Sequence, residues 1–447
     1  MTDAKPQPIL RVIDIISLIV GTVVGAGIYK SPALVAGALS SPGLIMAAWI
    51  AGGVASIIGA LCYVELATSY PSFGGEFHFI GRAFGNNVAF VYAWARSIVI
   101  LPAAIALFAV TLGDYLTPVL PLGPHSPTVW AMLMIVLLSG LNALGVRPAR
   151  NAQNVFALIE VGTVIAIVIA GLVGHGHTAP TLVSSPVGGG GLGFALIFVL
   201  LTYGGWNEAA YVSAEVADNR HGILRGVLYG LGTVTLLYLL INAAYLWGLG
   251  HAGVAHSTAP AADLFRLAFG TRSGTLLSAI VAFSCMKAIS ATVFFGARSN
   301  YAVGQDWHLF RWLGHWHPCG APRRAILALS VLSLLLVLLA AYTPNGFESI
   351  VEFEAPVFWL FILATALSLF VLRARFGIAA GAFPVPLYPV LPAVFVLSSA
   401  GLLWSSVAYT GIGALVGVAF LLLGLIPLAI ERYLTRPAPA ATGGNDA

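Results

Sequence analysis

The sequence predicts an all-α polytopic membrane protein with twelve transmembrane helices, and three observations carry that reading. Of its 447 residues, 59% are hydrophobic and only 8% charged, whereas a soluble domain carries roughly a quarter charged residues. Apolar runs of about 20 residues, long enough to cross a bilayer, recur along the chain, and mean hydropathy is +0.95. Basic residues concentrate between alternate runs, which is the distribution that membrane topology demands. The pI near 9.0 therefore follows from topology and does not point to nucleic acid.

The twelve runs lie near 14–37, 43–69, 86–115, 128–145, 153–174, 192–216, 223–249, 274–303, 324–342, 347–372, 387–409 and 412–433. Turn and breaker residues separate them: Ser41-Pro42-Gly43, Pro71 with Gly74-Gly75, the prolines from Pro121 to Pro127, the glycines at 188–191 and Pro344-Asn345-Gly346. The first 13 residues read as a cytoplasmic N-terminus; residues 1–8 are short and polar, so no cleavable leader is expected. Residues 434–447 read as a short Ala/Pro/Gly-rich cytoplasmic tail. With the N-terminus inside, fourteen of the 20 basic residues fall in cytoplasmic segments, against Arg266 and Arg272 outside. That bias places both termini in the cytoplasm and supports an even number of spans.

Several chemistries are excluded or disfavoured. Cys62, Cys285 and Cys319 give no disulfide framework. His175 and His177, like His315 and His317, sit in predicted loops without a third or fourth ligand at useful spacing. No metal is therefore expected, and no cofactor. The stretch GAGIYK lacks the GxxxxGK[ST] spacing of a phosphate loop and follows no strand, which argues against a nucleotide-driven pump. No nucleophile–base motif marks an enzyme, so no catalytic residues are assigned. The loops and tail are also too short for the soluble domain of a receptor or sensor.

The informative feature is a pair of interrupted spans. GTVVGAGIYKSP (21–32) puts Gly25-Ala26-Gly27 into the middle of span 1, and Thr202-Tyr203-Gly204-Gly205-Trp206 lies in the middle of span 6. Five spans apart, the two segments cross the membrane in opposite directions. Paired, glycine-interrupted segments in inverted halves are the best sequence pointer to a transport site, because unpaired backbone at membrane depth survives only where it lines a cavity. A break in span 1 presents free N–H groups at the positive end of its outer half, which suits a carboxylate. Freed carbonyls of spans 1 and 6 suit an ammonium, so the two together complement an α-amino acid zwitterion. Close packing is the competing reading for span 1, where Gly21 and Gly25 form GxxxG.

These residues also resemble a known family. GTVVGAGIYKSP is similar to the first-span signature of the amino acid–polyamine–organocation (APC) superfamily, and TYGGWNEAAYVSAEV (202–216) to the sixth-span signature of its L-type amino acid transporter branch and bacterial relatives. PSFGGEFHFIGRAFG (71–85) resembles the loop after span 2, and GARSNYAVGQDW (296–307) the end of span 8. The resemblance implies the LeuT-type five-plus-five inverted repeat with broken helices 1 and 6. The repeats would occupy 14–174 and 192–372, with two further helices at 387–433, around a central amino-acid site with alternating access. It also implies that the backbone N–H groups of Ala26 and Gly27, beside Gly25, receive the substrate carboxylate. The carbonyls of Val23, Leu201, Thr202 and Gly204 would receive the amine, with Tyr203 and Trp206 completing the site. Ala26 stands where the family often has serine, and Leu201 where the L-type branch has a gating phenylalanine. No cysteine occurs at 116–127, so the disulfide to a partner subunit seen in the animal branch is not expected. The implied protein is a stand-alone bacterial-type carrier of the inner (plasma) membrane, its partners the lipid bilayer and an amino-acid substrate.

Charged residues inside spans need their own account, since a charge at mid-span costs about 2.5–3.5 kcal/mol on the insertion scale. Glu160 stands where the family has a lysine near the cation site of its sodium-coupled members, and Lys287 where it has a small residue. The two are read as a transposed ion pair; a titrating coupling carboxyl and a vestibule residue are the alternatives for Glu160. Lys30 either snorkels to the outer surface or is a gating candidate, a second positive group assisting an acidic side chain or the substrate carboxylate. Arg96 and Arg298 read as interface anchors or gate partners, and Asn207 and Glu208 as gating candidates beyond the span 6 break. Asp14, Glu65, Glu76 and Glu215 are the acidic candidates for an inner gate, while Glu352 and Glu354 are expected to face the outer vestibule. The apolar lining favours neutral amino acids, and Glu208 leaves cationic substrates or polyamines as the alternative.

Overall fold

The structure is a computed structural model and describes residues 12–72, 75–145, 150–174, 191–207, 219–318, 320–409 and 411–434. Among these residues it is helical throughout and has no strand. The first span is two helices, α1 (Val12–Val23) and α2 (Ala26–Ala38), meeting at 48°. Ser41 caps α3 (Pro42–Ser69), its Oγ accepting the Leu44 N–H at 3.3 Å, with proline at the first position where no N–H is needed. A short helix, α4 (Gly75–Phe84), then leads into α5 (Asn86–Ala95), a π turn (Arg96–Ile100) and α6 (Leu101–Leu116), which together form one span. Next come α7 (Ser126–Ala143), α8 (Arg150–Val173) and α9 (Gly191–Thr202). With 12 residues, α9 rises only about 18 Å and stops short of crossing a ~30 Å hydrocarbon core.

The long α10 (Asn219–Ala255) bends at Gly250 and is followed by short α11 (Pro260–Phe269), α12 (Thr271–Asp306) and α13 (Arg323–Ala340). Asn345 starts α14 (Gly346–Phe376) by accepting the Glu348 N–H at 3.3 Å, and Gly377 ends it at a φ of 69°. The remainder is α15 (Val390–Tyr409), α16 (Ile412–Leu423) and α17 (Leu425–Leu434), the last two forming a single span over Ile412–Tyr433. Nine helices among the described residues are long and apolar enough to cross a membrane, or ten with α1 and α2 counted together. The second half of the expected sixth span, from 208 onward, lies outside the described residues, as does Cys319. Helices α4 and α11 escaped the hydropathy reading because they are short and amphipathic.

Packing surrounds α1, α2 and α9 with the longer helices. Helix α10 lies against α1, α2, α3 and α8, α12 lies against α6, and α2 packs on α9. Small residues let these helices approach: a Cβ on Gly171 of α8 would meet the Ala244 Cβ of α10 at 2.6 Å. Buried hydroxyls satisfy themselves on their own helix, as Thr111 does on Leu107 O (2.8 Å), Thr163 on Ile159 O (2.7 Å) and Thr365 on Phe361 O (2.9 Å), the cheapest solution where water is absent. Leu158, Leu172, Leu397, Trp404 and Ile412 are exposed on the periphery, the arrangement of helices solvated by lipid.

Candidate functional site

The break in the first span is local and backbone-driven. Val24 N–H still bonds Val20 O at 2.9 Å, but Gly25 is fully extended (φ −147°, ψ −155°) and starts α2 without a capping side chain. The first amides of a helix have no acceptor within it, so those of Ala26 and Gly27 stand free at the positive end of α2. In the sixth span the chain leaves α9 at Thr202 through turns closed by Tyr203 N–H to Val199 O and Gly204 N–H to Leu201 O, both 3.0 Å. Gly205 follows at φ 105°, a conformation costly to residues with a Cβ. The two breaks touch. A Cβ on Gly27 would sit 3.0 Å from Thr202 Oγ1 and 3.1 Å from its Cα; one on Gly205 would sit 3.0 Å from Thr22 O.

The carbonyls expected to meet an ammonium are less free than the sequence implied. Tyr238 of α10 reaches Val23 O (2.7 Å) and Thr202 O (3.1 Å) with one hydroxyl, which holds a single proton and bridges the ends of both broken helices. Leu201 O is taken by Gly204 N–H. Each such carbonyl keeps a second lone pair, so an ammonium here would share it with the protein. The Tyr203 side chain turns away and donates to Trp49 O at 3.1 Å. Thr202 Oγ1 lies 2.7 Å from both Ser31 Oγ and Phe198 O. Trp206 packs edge-on to Tyr63, centroids 4.9 Å apart. It borders a cavity of about 20 Å³ between Gly204, Asn207, Trp359 and Ser399, to which α1 and α2 contribute nothing.

Around the breaks lie buried charges. Lys287 Nζ of α12 pairs with Glu160 of α8 and also donates to Gly21 O at 3.3 Å. Ser284 Oγ donates to the same Glu160 oxygen at 3.0 Å. The pair joins α8 and α12 to α1 just before its break. Gly21 itself has open space where a Cβ would go, so it is not the close-packing glycine that GxxxG suggests; a Cβ on Gly25 would meet the Phe108 ring at 3.2 Å. Lys30 does not snorkel: it is 9% exposed, paired with Asp114 of α6 and donating to Thr258 O at 2.7 Å.

Arg96 is buried in the π turn, so it is not an exposed interface anchor, and the half-buried Arg298 lies on the Phe294 ring at 3.3 Å. Asn207 reaches Glu76. Glu65 instead accepts Val385 N–H at 2.6 Å, beside Arg373. Glu354 is 4% exposed and faces the interior where the outer vestibule was expected, because α14 turns that side toward its neighbours. Glu208, Glu215 and the Asp14 side chain lie outside the described residues. Sequence reasoning missed Tyr238 and Asp114; a lone tyrosine in span 7 and an acid closing span 3 were the signals available.

Residues 10–427 match the amino acid permease family. The chain belongs to that family. Among curated relatives, this family member is 29% identical over 381 residues to the human b(0,+)-type amino acid transporter 1, covering 82% of this chain and 76% of the relative. It is 27% identical to the human large neutral amino acids transporter small subunit 2, over 91% of this chain and 78% of that protein. The serine/threonine exchanger SteT of Bacillus subtilis is 24% identical over 90% of this chain and 93% of its own length. The APC resemblance read from the two glycine-broken motifs is therefore correct, and family and relatives are transporters, not enzymes.

Proposed function

We propose that the chain is a secondary carrier of L-amino acids, an exchanger or proton-linked, working by alternating access in a plasma membrane with both termini cytoplasmic. The observation that carries this reading is the contact of the two breaks, Gly27 on Thr202 and Gly205 on Thr22. It brings free helix-start amides and helix-end carbonyls into one place. Ala26 and Gly27 would hold the carboxylate, and Val23, Thr202 and Gly204 the ammonium, with Tyr238 yielding part of its hydrogen bonding. The twelve-span, five-plus-five inverted repeat, with halves at 14–174 and 192–372 and two added helices at 387–433, is the architecture that relates the breaks. Neutral side chains suit the apolar surroundings, and no disulfide-linked partner subunit is needed. The named relatives support amino acids as the substrate class, and one is named as an exchanger.

The Glu160–Lys287 pair supports independence from sodium, since an internal cation already occupies the junction of α1, α8 and α12. Uptake of a panel of labelled amino acids into proteoliposomes, with and without internal substrate, tests both parts. Transport accelerated by internal amino acid and unchanged when potassium replaces sodium is the expected result. Absence of uptake across the panel, or a strict sodium requirement, refutes the corresponding part.

A further inference from the structure

Glu76 lies on α4, outside the two interrupted spans, yet the residue is 4% exposed and its carboxylate gathers donors from three other elements. Tyr63 of α3 donates to Oε1 at 2.5 Å, Tyr92 of α5 donates to Oε2, and Asn207 Nδ2 donates to Oε1 at 3.2 Å. Asn207 turns its other end back on the break, Oδ1 accepting the Gly205 N–H at 3.3 Å. The amide thus bridges the glycine that needs a positive φ and a buried carboxylate. Tyr63 adds a second arm through its edge-on contact with Trp206. The base of the arrangement is fixed as well: Arg82 of α4 lies over the Tyr70 and Phe376 rings, and Arg375 donates to Ala83 O at 3.0 Å.

We infer that Glu76 is a positioning residue, a latch that holds the unwound 203–207 stretch in its course by way of Asn207 and of Tyr63 against Trp206. A carboxylate suits this post because it only accepts, and Tyr63, Tyr92 and Asn207 can each donate to it. Charge-assisted bonds of this kind are roughly twice as strong as neutral ones. The latch sits at the end of the molecule bearing Arg82, Arg373 and Arg375. Releasing it frees the Trp206–Asn207 segment to move against α3 and α4.

The transport arm of the test rests on the amino-acid carrier reading, and the other arm does not. Hydrogen exchange on the full chain in detergent should show the 205–207 amides exchanging about tenfold faster or more in Glu76→Gln than in the wild type. Unchanged exchange there overturns the latch. Should Glu76→Gln not fold, Tyr63→Phe, which removes one of the two arms, takes its place in the same comparison.

In proteoliposomes, Asn207→Asp sets two carboxylates together and should lower maximal transport about tenfold or more. Glu76→Gln with Asn207→Asp exchanges amide and carboxylate, rebuilds the N–H···O bond and should recover transport to within about threefold of wild type. A double variant no better than Asn207→Asp alone, at an unchanged melting temperature, overturns the proposal. If the wild type moves no amino acid, the carrier reading fails and the exchange measurement alone decides the latch.

Discussion

Gly27→Val abolishes transport, with uptake falling about 100-fold or more because the site geometry is lost, while the chain stays folded. A Cβ at this position would stand 3.1 Å from Thr202 Cα as well as against its side chain, so backbone, and not only a flexible tip, must move. Overpacking of this kind costs about 1–3 kcal/mol, which a polytopic bundle tolerates, but it drives apart the two helix ends that form the proposed substrate site. Gly205→Ala has the same consequence for two reasons, its φ of 105° and Thr22 O 3.0 Å from the new Cβ. Gly21→Ala is the contrast: nothing lies within 4 Å of its Cβ position, so transport stays near wild type. Uptake measured on the three variants at matched expression checks the series; a Gly27→Val carrier with normal uptake contradicts it.

Lys287→Met gives the second large effect. It leaves Glu160, only 3% exposed, with Ser284 as its remaining donor, and removing one partner of a buried pair costs about 3–5 kcal/mol. Glu160→Gln is milder, because Lys287 keeps the Gly21 carbonyl and gains the new carboxamide oxygen. The double variant Glu160→Gln with Lys287→Met buries no charge and regains thermal stability over Lys287→Met. Its transport stays low, since the tie from α12 to Gly21 O is gone. Thermal unfolding and uptake on the three variants check this order. Wild-type activity in both single variants would show that the pair does not serve the transport cycle.

The parts of the fold legible in the sequence are those where physics leaves few choices. Gly25–Gly27 and Gly204-Gly205 announce broken helices because glycine runs are costly inside a span, and their spacing shows that they belong together. Glu160 and Lys287 stand out because charges at membrane depth demand partners, and the contact between them follows from that demand. Tyr238 was illegible since a tyrosine in an apolar helix reads as core until the helix crossing is known. Gly21 misled because GxxxG describes spacing, and only the neighbouring helix decides whether the space is used. Lys30 was legible only as a choice between snorkelling and an acidic partner, because that partner, Asp114, is 84 positions away in the chain and meets it only after α2 and α6 pack. Glu354 misled because helical phase near Pro356, not depth along the span, sets which side is buried.

On the proposed reading, the meeting of the two breaks binds an α-carboxylate and an α-ammonium together. Competition against uptake of the best labelled amino acid tests it most directly, using that amino acid's methyl ester, its N-acetyl derivative and the amine formed by its decarboxylation. Each analogue removes one charge that the free amides of Ala26 and Gly27 or the carbonyls of Val23, Thr202 and Gly204 would bind. Loss of one charge-assisted contact predicts competition about 10–100-fold weaker for every analogue. An ester or an amine that competes as well as the parent amino acid would mean that the amides of Ala26 and Gly27 do not hold the carboxylate.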